Sequence, residues 1–132
     1  MEEEVIRLLN AARAEAGLAP LDPDERLMQA AVSHAAYMAE TGRLSHIGRE
    51  GSRFDERIRI AGYSPTTAAE NVAAGATDPS DAVQLWMESP PHRANILNPV
   101  FRHVGIGIAE AAGGTRYWSL SLAAPVTGAE PS

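Results

Sequence analysis

Two histidines and one glutamate, set in three separate segments, are the side chains of this chain best suited to chemistry. His46 lies in the segment Leu44–Gly48, Glu70 directly precedes Asn71, and His92 follows two prolines. Imidazole nitrogen and carboxylate oxygen are good zinc ligands, and the same groups serve as general acids and bases. Because no local spacing such as His-Glu-x-x-His joins them, structural hydrogen bonding among the three side chains is the competing interpretation.

Other polar residues accompany the two later segments. Glu88 and Ser89 precede the prolines and are further candidates for lining a cleft. Ser89 next to a histidine could act as a nucleophile, but the chain has no Gly-x-Ser-x-Gly elbow, so serine hydrolysis is disfavoured. Asn71, Arg93 and Asn95 are interpreted as supporting residues that hydrogen-bond the backbone around these segments.

Composition excludes several classes of function. The 132 residues, 45% of them hydrophobic, suffice for one compact domain with a continuous core. Cysteine is absent and all 11 basic residues are arginine, which excludes thiol chemistry, disulfides and lysine Schiff bases. The net charge of −6 argues against nucleic acid or an anionic membrane as the main partner. No apolar run approaches the roughly 20 residues of a membrane-spanning helix.

Four segments have helical signals in the form of apolar periodicity, acidic starts, or proline and glycine stops. They are residues 2–16, 24–41, 54–61 and the segment from Asp78 to the stop at Pro90-Pro91. His34 lies on the apolar stripe of the second helix, so we expect a core or rim histidine. The arginines between Arg49 and Arg59 alternate with acids and are interpreted as a solvated, ion-paired face.

Three segments have strand signals. Residues 70–74 are predicted to form a short strand, and residues 103–110 and 116–123 alternate in polarity around the turn 111–115. His103 is expected to be exposed. Residues 125–132 are small, polar and rich in Pro and Gly, which predicts a flexible C-terminal tail.

The motifs together resemble a known family. His46, Glu70-Asn71, Trp86, His92-Arg93-Ala94-Asn95 and Val104–Gly107 occur in the order found in bacterial CAP (SCP) domains. That superfamily includes cysteine-rich secretory proteins, venom antigens and plant pathogenesis-related proteins. The resemblance implies an α+β fold, a three-layer α-β-α sandwich with a mostly antiparallel central sheet. It also implies a single domain over residues 1–124.

The resemblance further implies a cleft built from two histidines and two acids. Carried over by motif, the histidines are His46 and His92, and Glu70 is the first acid. The position of the second acid holds Ser89, while Glu88 stands one residue earlier. The set is therefore incomplete or rearranged, which weakens any activity that depends on all four groups.

The expected function is that of a secreted or cell-envelope binding module rather than an enzyme. Its ligand would be a small apolar molecule or lipid, a peptide, or a component of the cell envelope, with His46, Glu70 and His92 at the polar floor. The alternative is a zinc-assisted hydrolase, with zinc on both histidines and Glu70 as third ligand or base. We expect a monomer. The acidic start Met1–Glu4 is no signal peptide, so we expect the chain to begin at the mature domain of an exported protein.

Overall fold

The computed structural model describes residues 1–126, in which helices cover both faces of one four-stranded sheet. The helices are α1 (Glu2–Glu15), α2 (Glu25–Thr41), α3 (Phe54–Ile60), α4 (Pro79–Met87) and α5 (Pro90–Ile96). The strands are β1 (Asp22–Pro23), β2 (Pro65–Ala74), β3 (His103–Glu110) and β4 (Arg116–Pro125). The predicted α+β, three-layer architecture is confirmed.

The sheet has the strand order β1-β3-β4-β2. The short strand β1 pairs in parallel with β3, whereas β3 with β4 and β4 with β2 are antiparallel. The sheet is thus mostly antiparallel, as expected. The long strand β2 forms one edge of the sheet, so its outer side is free to receive loops.

Alternation along β4 divides the core into two layers. Trp118, Leu120 and Leu122 face the layer of α1, α4 and α5, where they pack in the larger buried cluster. Ala123 packs instead with residues of α2 and α3. Each face of the sheet is therefore packed against its own set of helices.

Helix α2 lies directly on the backbone of β3 because two glycines leave room for it. A Cβ atom added to Gly105 would stand 2.2 Å from the carbonyl carbon of Leu27, and one added to Gly107 would stand 2.3 Å from the carbonyl oxygen of Ala31. No side chain fits at these positions without moving the helix. This close packing fixes α2, and with it His34, against the sheet.

One predicted boundary was wrong and one helix was missed. Strand β2 begins at Pro65, five residues before the predicted start at Glu70. The predicted helix does stop before Pro90-Pro91, since α4 ends at Met87. The prolines also begin the further helix α5, which was not predicted, because proline is well tolerated in the first turn, where no amide donor is needed.

The end of the chain is only partly described. The domain boundary at residue 124 stays a prediction, and strand β4 extends to Pro125. The amide of Val126 donates to the carbonyl of Ser64 at 2.9 Å. Of the predicted flexible tail, residues 127–132 lie outside the described residues.

Candidate functional site

The site is organised by strand β2, whose successive side chains point to opposite faces of the sheet. Glu70 stands opposite Ser121 in β4 and faces α2 and α3, whereas Asn71 stands opposite Leu120 and faces α4 and α5. Both side chains are buried, Glu70 at 6% exposure and Asn71 at 0%. The two adjacent polar residues therefore organise two different sets of neighbours.

We call the set around Glu70 the charged half, consisting of His34, His46, Arg57 and Glu70. The Oε1 atom of Glu70 lies 2.9 Å from Nδ1 of His46, and Oε2 accepts a hydrogen bond from Nη2 of Arg57 at 2.5 Å. His34 Nε2 is 3.8 Å from Oε1. A buried carboxylate requires such partners, because removing a charge from water is costly unless it is paired.

Arg57 also fixes the loop that carries His46. It donates from Nη2 to the carbonyl of His46 at 3.2 Å and from Nη1 to the carbonyl of Ser52 at 2.8 Å. The arginine is buried, so the interpretation of residues 49–59 as a uniformly solvated face was wrong at this position. Local sequence gave no signal for this, because the partner Glu70 is 13 residues away.

His34 holds the same loop from the opposite side. It is 1% exposed, and its Nε2 lies 2.7 Å from the carbonyl oxygen of Ser45, which only an N–H can satisfy. Burial lowers the pKa of His34, so the ring is neutral with its proton on Nε2. The prediction of a core or rim histidine fits this position, but its contact with the loop before His46 was not foreseen.

The neutral half lies on the other side of β2 and consists of Asn71, Ser89, His92 and Asn95. Asn71 donates from Nδ2 to the carbonyl of His92 at 3.1 Å and accepts at Oδ1 from Asn95 at 2.9 Å. His92 Nδ1 lies 2.8 Å from the hydroxyl oxygen of Ser89, the residue that precedes α5. Asn71 and Asn95 thus connect β2 to the start and the interior of α5, and their role as supporting residues stays a prediction.

The two cleft histidines differ in protonation. The hydrogen bond to Glu70 raises the pKa of His46, whose side chain is 53% exposed. Burial lowers the pKa of His92, and the nearby positive charge of His46 lowers it further. At any given pH, His46 is therefore more readily protonated than His92.

Two predicted residues lie away from these contacts. Glu88 is exposed, accepts a hydrogen bond from Gln84 at 3.2 Å, and lines a shallow depression beside Gly75. Arg93 is exposed, and its side chain makes no hydrogen bond or ion pair within residues 1–126. His103, expected to be exposed, is buried, with Nδ1 at 2.7 Å from the hydroxyl of Tyr63.

The donor set does not fit the implied zinc ion. Within the part of the chain that the structure describes, no three His, Cys, Asp or Glu side chains form a group able to hold a metal. Both oxygens of Glu70 are engaged by His46 and Arg57, so Glu70 does not fit the predicted role of third ligand or base. Only the Nε2 atoms of the two cleft histidines remain as donors, fewer than the three or four of established zinc sites.

The fold and these motifs define a CAP-type domain, and comparison with known proteins agrees. The family model for the cysteine-rich secretory protein family, CAP, matches residues 6–122. The chain belongs to this family, although it contains no cysteine.

Particular relatives are bacterial. The chain is 40% identical over 111 residues to the uncharacterized protein YkwD of Bacillus subtilis, covering 83% of this chain and 43% of YkwD. An extracellular protein of Bacillus anthracis with an SCP domain superposes with a TM-score of 0.85 at 24% identity, over 92% of this chain and 39% of that one. An outer surface protein of Borrelia burgdorferi has a TM-score of 0.86 at 18% identity, covering 94% of this chain and 92% of that one. The chain thus spans less than half the length of YkwD.

Proposed function

We propose that this chain is an extracellular binding module in which the edge of β2 receives an apolar small molecule, a peptide or a cell-envelope component. The proposal depends on one observation above all, the pairing of both oxygens of Glu70 within the protein. With one oxygen against His46 and the other against Arg57, this carboxylate holds its neighbours in place. Paired with an imidazole and a guanidinium, it is a poor base for taking a proton from a substrate or a water molecule.

The surface beside His46 supports an apolar component in the ligand. Leu44 and Ile47 flank His46 in the loop and are 53% and 54% exposed. Large apolar side chains at this exposure, next to an imidazole and a hydroxyl-bearing Ser45, combine apolar contact with a few polar groups. That combination is typical of small-molecule and peptide sites.

An extracellular location is supported by the relatives. One solved structure with this fold is of an extracellular protein and another is of an outer surface protein. The absence of cysteine does not conflict with export, because the domain is stabilised by two buried apolar layers rather than by disulfides. None of the helices within residues 1–126 is long and apolar enough to cross a bilayer.

A metal-assisted function is the second candidate, favoured by the way both cleft histidines are held. His46 and His92 each use Nδ1 for a contact within the protein, to Glu70 and Ser89 respectively. A histidine oriented through one nitrogen in this way presents the other to a metal ion. The residues of this chain would hold the two rings in place, with Glu70 as the partner that orients His46.

Ligand binding is tested by recording amide NMR spectra during titration with laurate, and separately with a short peptide of leucine and valine. The variant Leu44→Ser/Ile47→Ser should weaken binding of the active probe by about tenfold, since each side chain loses apolar contact. The matched control Val32→Ser/Leu85→Ser removes two equally exposed apolar residues elsewhere. Equal weakening in both variants, or shifts remote from His46 and His92, would contradict a ligand site at this edge.

The zinc alternative is tested by calorimetry on chelator-treated protein near neutral pH. Saturable binding of one ion that disappears in His46→Ala/His92→Ala would support a metal site at the two rings. Ester and peptide hydrolysis in the presence of zinc would then be compared between the same two proteins. Identical zinc titrations of the two proteins would exclude the histidines as ligands.

A further inference from the structure

The outer side of β3 is a second open edge of the sheet, opposite the edge formed by β2. Strand β1 pairs with β3 only at His103 and Val104. Residues 105–110, the larger part of the strand, therefore have a strand neighbour on one side alone, where β4 pairs with them. Nothing in the proposed function uses this edge.

Alternation along β3 shows which backbone groups point outward. The carbonyl of Val104 accepts from the amide of Asp24 at 3.0 Å, outside the ladder with β4. The amide of Ile106 donates to the sulfur of Met28 at 3.3 Å, also outside that ladder. Because the hydrogen-bonding direction of a strand alternates with every residue, Ile108 presents its N–H and C=O on the same outer side. Within the described part of the chain, neither of these two groups has a hydrogen-bond partner.

Helix α2 advances in step with β3. A Cβ atom added to Gly105 would meet the helix backbone at Leu27. Two strand residues later, one added to Gly107 would meet it at Ala31, four helical residues further on. The match is expected, because four helical residues rise about 6 Å and two strand residues about 6.6 Å. Side chains four residues apart on α2 therefore lie beside alternate residues of β3.

This correspondence leaves one outward amide of β3 uncapped. Met28 lies beside Ile106 and supplies the sulfur that accepts its N–H. Four residues further along α2, Val32 takes the equivalent place beside Ile108, since a Cβ added to Gly107 would come within 2.5 Å of the Cα of Val32. The side chain of Val32 has no acceptor and is 49% exposed. The edge at Ile108 is thus both unpaired and next to exposed apolar surface.

The usual protection of an edge strand is missing from this stretch. Residues 105–108 are Gly-Ile-Gly-Ile, without proline, lysine or any other charge, and their register with β4 contains no bulge. Proteins commonly protect edges by such devices, because an open row of backbone groups pairs readily with another chain. An unprotected edge therefore favours an extended segment that adds to the sheet through main-chain hydrogen bonds.

Charge selects the kind of segment. Glu25 stands three residues before Met28 on the same side of α2, Glu110 ends β3, and both acids are exposed. Acidic groups thus lie toward both ends of the open edge. They disfavour a second copy of this chain, whose net charge is −6, and favour basic side chains at the two ends of an incoming strand.

We propose that the open edge of β3 binds an extended segment of a partner protein by β-strand addition. The backbone of the segment exchanges hydrogen bonds with Ile108, and its β-branched middle residues lie against Val32. Basic residues flank this middle part, toward Glu25 at one end and Glu110 at the other. The bound segment lies at the opposite edge of the sheet from Glu70.

The test titrates the whole chain with a peptide blocked at both ends, Lys-Val-Thr-Val-Thr-Lys, and follows amide NMR. We expect saturable shifts at residues 105–110 and along α2, with slower hydrogen exchange of the Ile108 amide. Two matched peptides serve as controls. One is the same sequence N-methylated at its four central residues, which removes their backbone donors, and the other has glutamate in place of both lysines. Each should bind about tenfold more weakly.

Variants decide whether the edge itself is responsible. Ile108→Pro removes the open amide and should abolish the shifts, while the ladder with β4 stays intact because that amide points away from it. Val32→Met places a sulfur beside Ile108, as Met28 does for Ile106, and should weaken binding by about fivefold. The matched control Leu85→Met introduces the same residue on α4 at the same exposure of 49% and should leave the affinity unchanged.

Several results would overturn the proposal. They are equal binding of either control peptide, equal affinity in Val32→Met and Leu85→Met, and shifts confined to the loop that contains His46. Binding retained in a folded Ile108→Pro variant would do the same. Sedimentation of the chain alone provides the last check, since self-association through residues 105–110 would make this edge an interface between copies instead.

Discussion

The two halves of the β2 edge differ in how they hold a histidine, although their central residues are adjacent in sequence. Glu70 holds His46 by charge, with Arg57 as the balancing cation. Asn71 holds His92 by neutral hydrogen bonds to its backbone. The first arrangement leaves its histidine exposed and favours its protonation, whereas the second leaves its histidine partly buried and favours the neutral ring.

The difference shows how a single edge strand can hold two imidazoles whose pKa values are shifted in opposite directions. Period-two alternation places Glu70 and Asn71 in separate layers, so each ring is tuned by its own surroundings. When protonated, His46 offers a ligand at this edge an N–H donor, whereas the neutral ring of His92 can accept. This asymmetry gives the proposed binding site a preferred ligand orientation.

Removal of the balancing cation should have the largest effect. Arg57→Met leaves Glu70 buried without its cation, and we expect the free energy of unfolding to fall by about 3–5 kcal/mol, measured by urea denaturation near neutral pH. The double variant Arg57→Met/Glu70→Gln removes both charges and should recover part of that loss. If the single and double variants are equally unstable, the charged pairing of Glu70 is not what stabilises this half.

Removal of the central amide in the neutral half should have a smaller effect. Asn71→Ala leaves the carbonyl of His92 and the amide of Asn95 without their partner, which costs about 1–3 kcal/mol in the same experiment. Asn95→Ala, which breaks only one of these two bonds, serves as the graded control. A loss in Asn71→Ala as large as that in Arg57→Met would contradict the contrast between the halves.

Sequence patterns named candidate residues but not how those residues are organised. His46, Glu70 and His92 were predicted from their types and order, and so was the strand that contains Glu70. Strand periodicity implies that Glu70 and Asn71 point to opposite faces of the sheet. Which residues each one contacts could be known only once α3 and α5 were placed. Family motifs record which residues recur, not which face each one serves.

Two positions show why the remainder escaped prediction. Arg57 stands in a run of mixed charges, and local composition does not reveal which one of several arginines turns inward to a carboxylate 13 residues away. Pro90 was interpreted as a helix stop, which fits the end of α4 at Met87, but the helix that the prolines begin was not predicted. For Arg57 the deciding contact is tertiary, so no window of neighbouring residues contains it.

The halves should respond to pH with opposite signs. The raised pKa of His46 means that its contribution to stability is complete below the ordinary imidazole value of about 6.5 and is lost as pH rises through the folded-state pKa. The lowered pKa of His92 means that its contribution is present above that value and is lost as pH falls through the folded-state pKa. Between pH 5 and 8, the contribution of His46 to the free energy of unfolding should therefore fall as pH rises, whereas that of His92 should increase.

Variants isolate the two contributions. The stability difference between the parent chain and His46→Gln should shrink as pH rises, and that between the parent and His92→Gln should shrink as pH falls. Histidine NMR titrations provide an independent measurement, with the pKa of His46 above that of His92. Slopes of the same sign, or the reverse order of pKa values, would show that Glu70 does not govern the protonation of His46.

The smallest expected effect concerns the one contact that the side chain of His92 makes with Ser89. Ser89→Ala removes the oxygen 2.8 Å from Nδ1, but both residues are partly exposed and water can replace the hydroxyl. We expect the free energy of unfolding to change by no more than about 0.5 kcal/mol, because surface substitutions of this kind are nearly neutral.

The ring itself should respond, since its tautomer is set by the hydrogen bond at Nδ1. Nitrogen chemical shifts of His92 should change in Ser89→Ala while those of His46 stay constant, because the two rings are held from separate layers. Coupled changes at both histidines would instead mean that the edge of β2 acts as one unit.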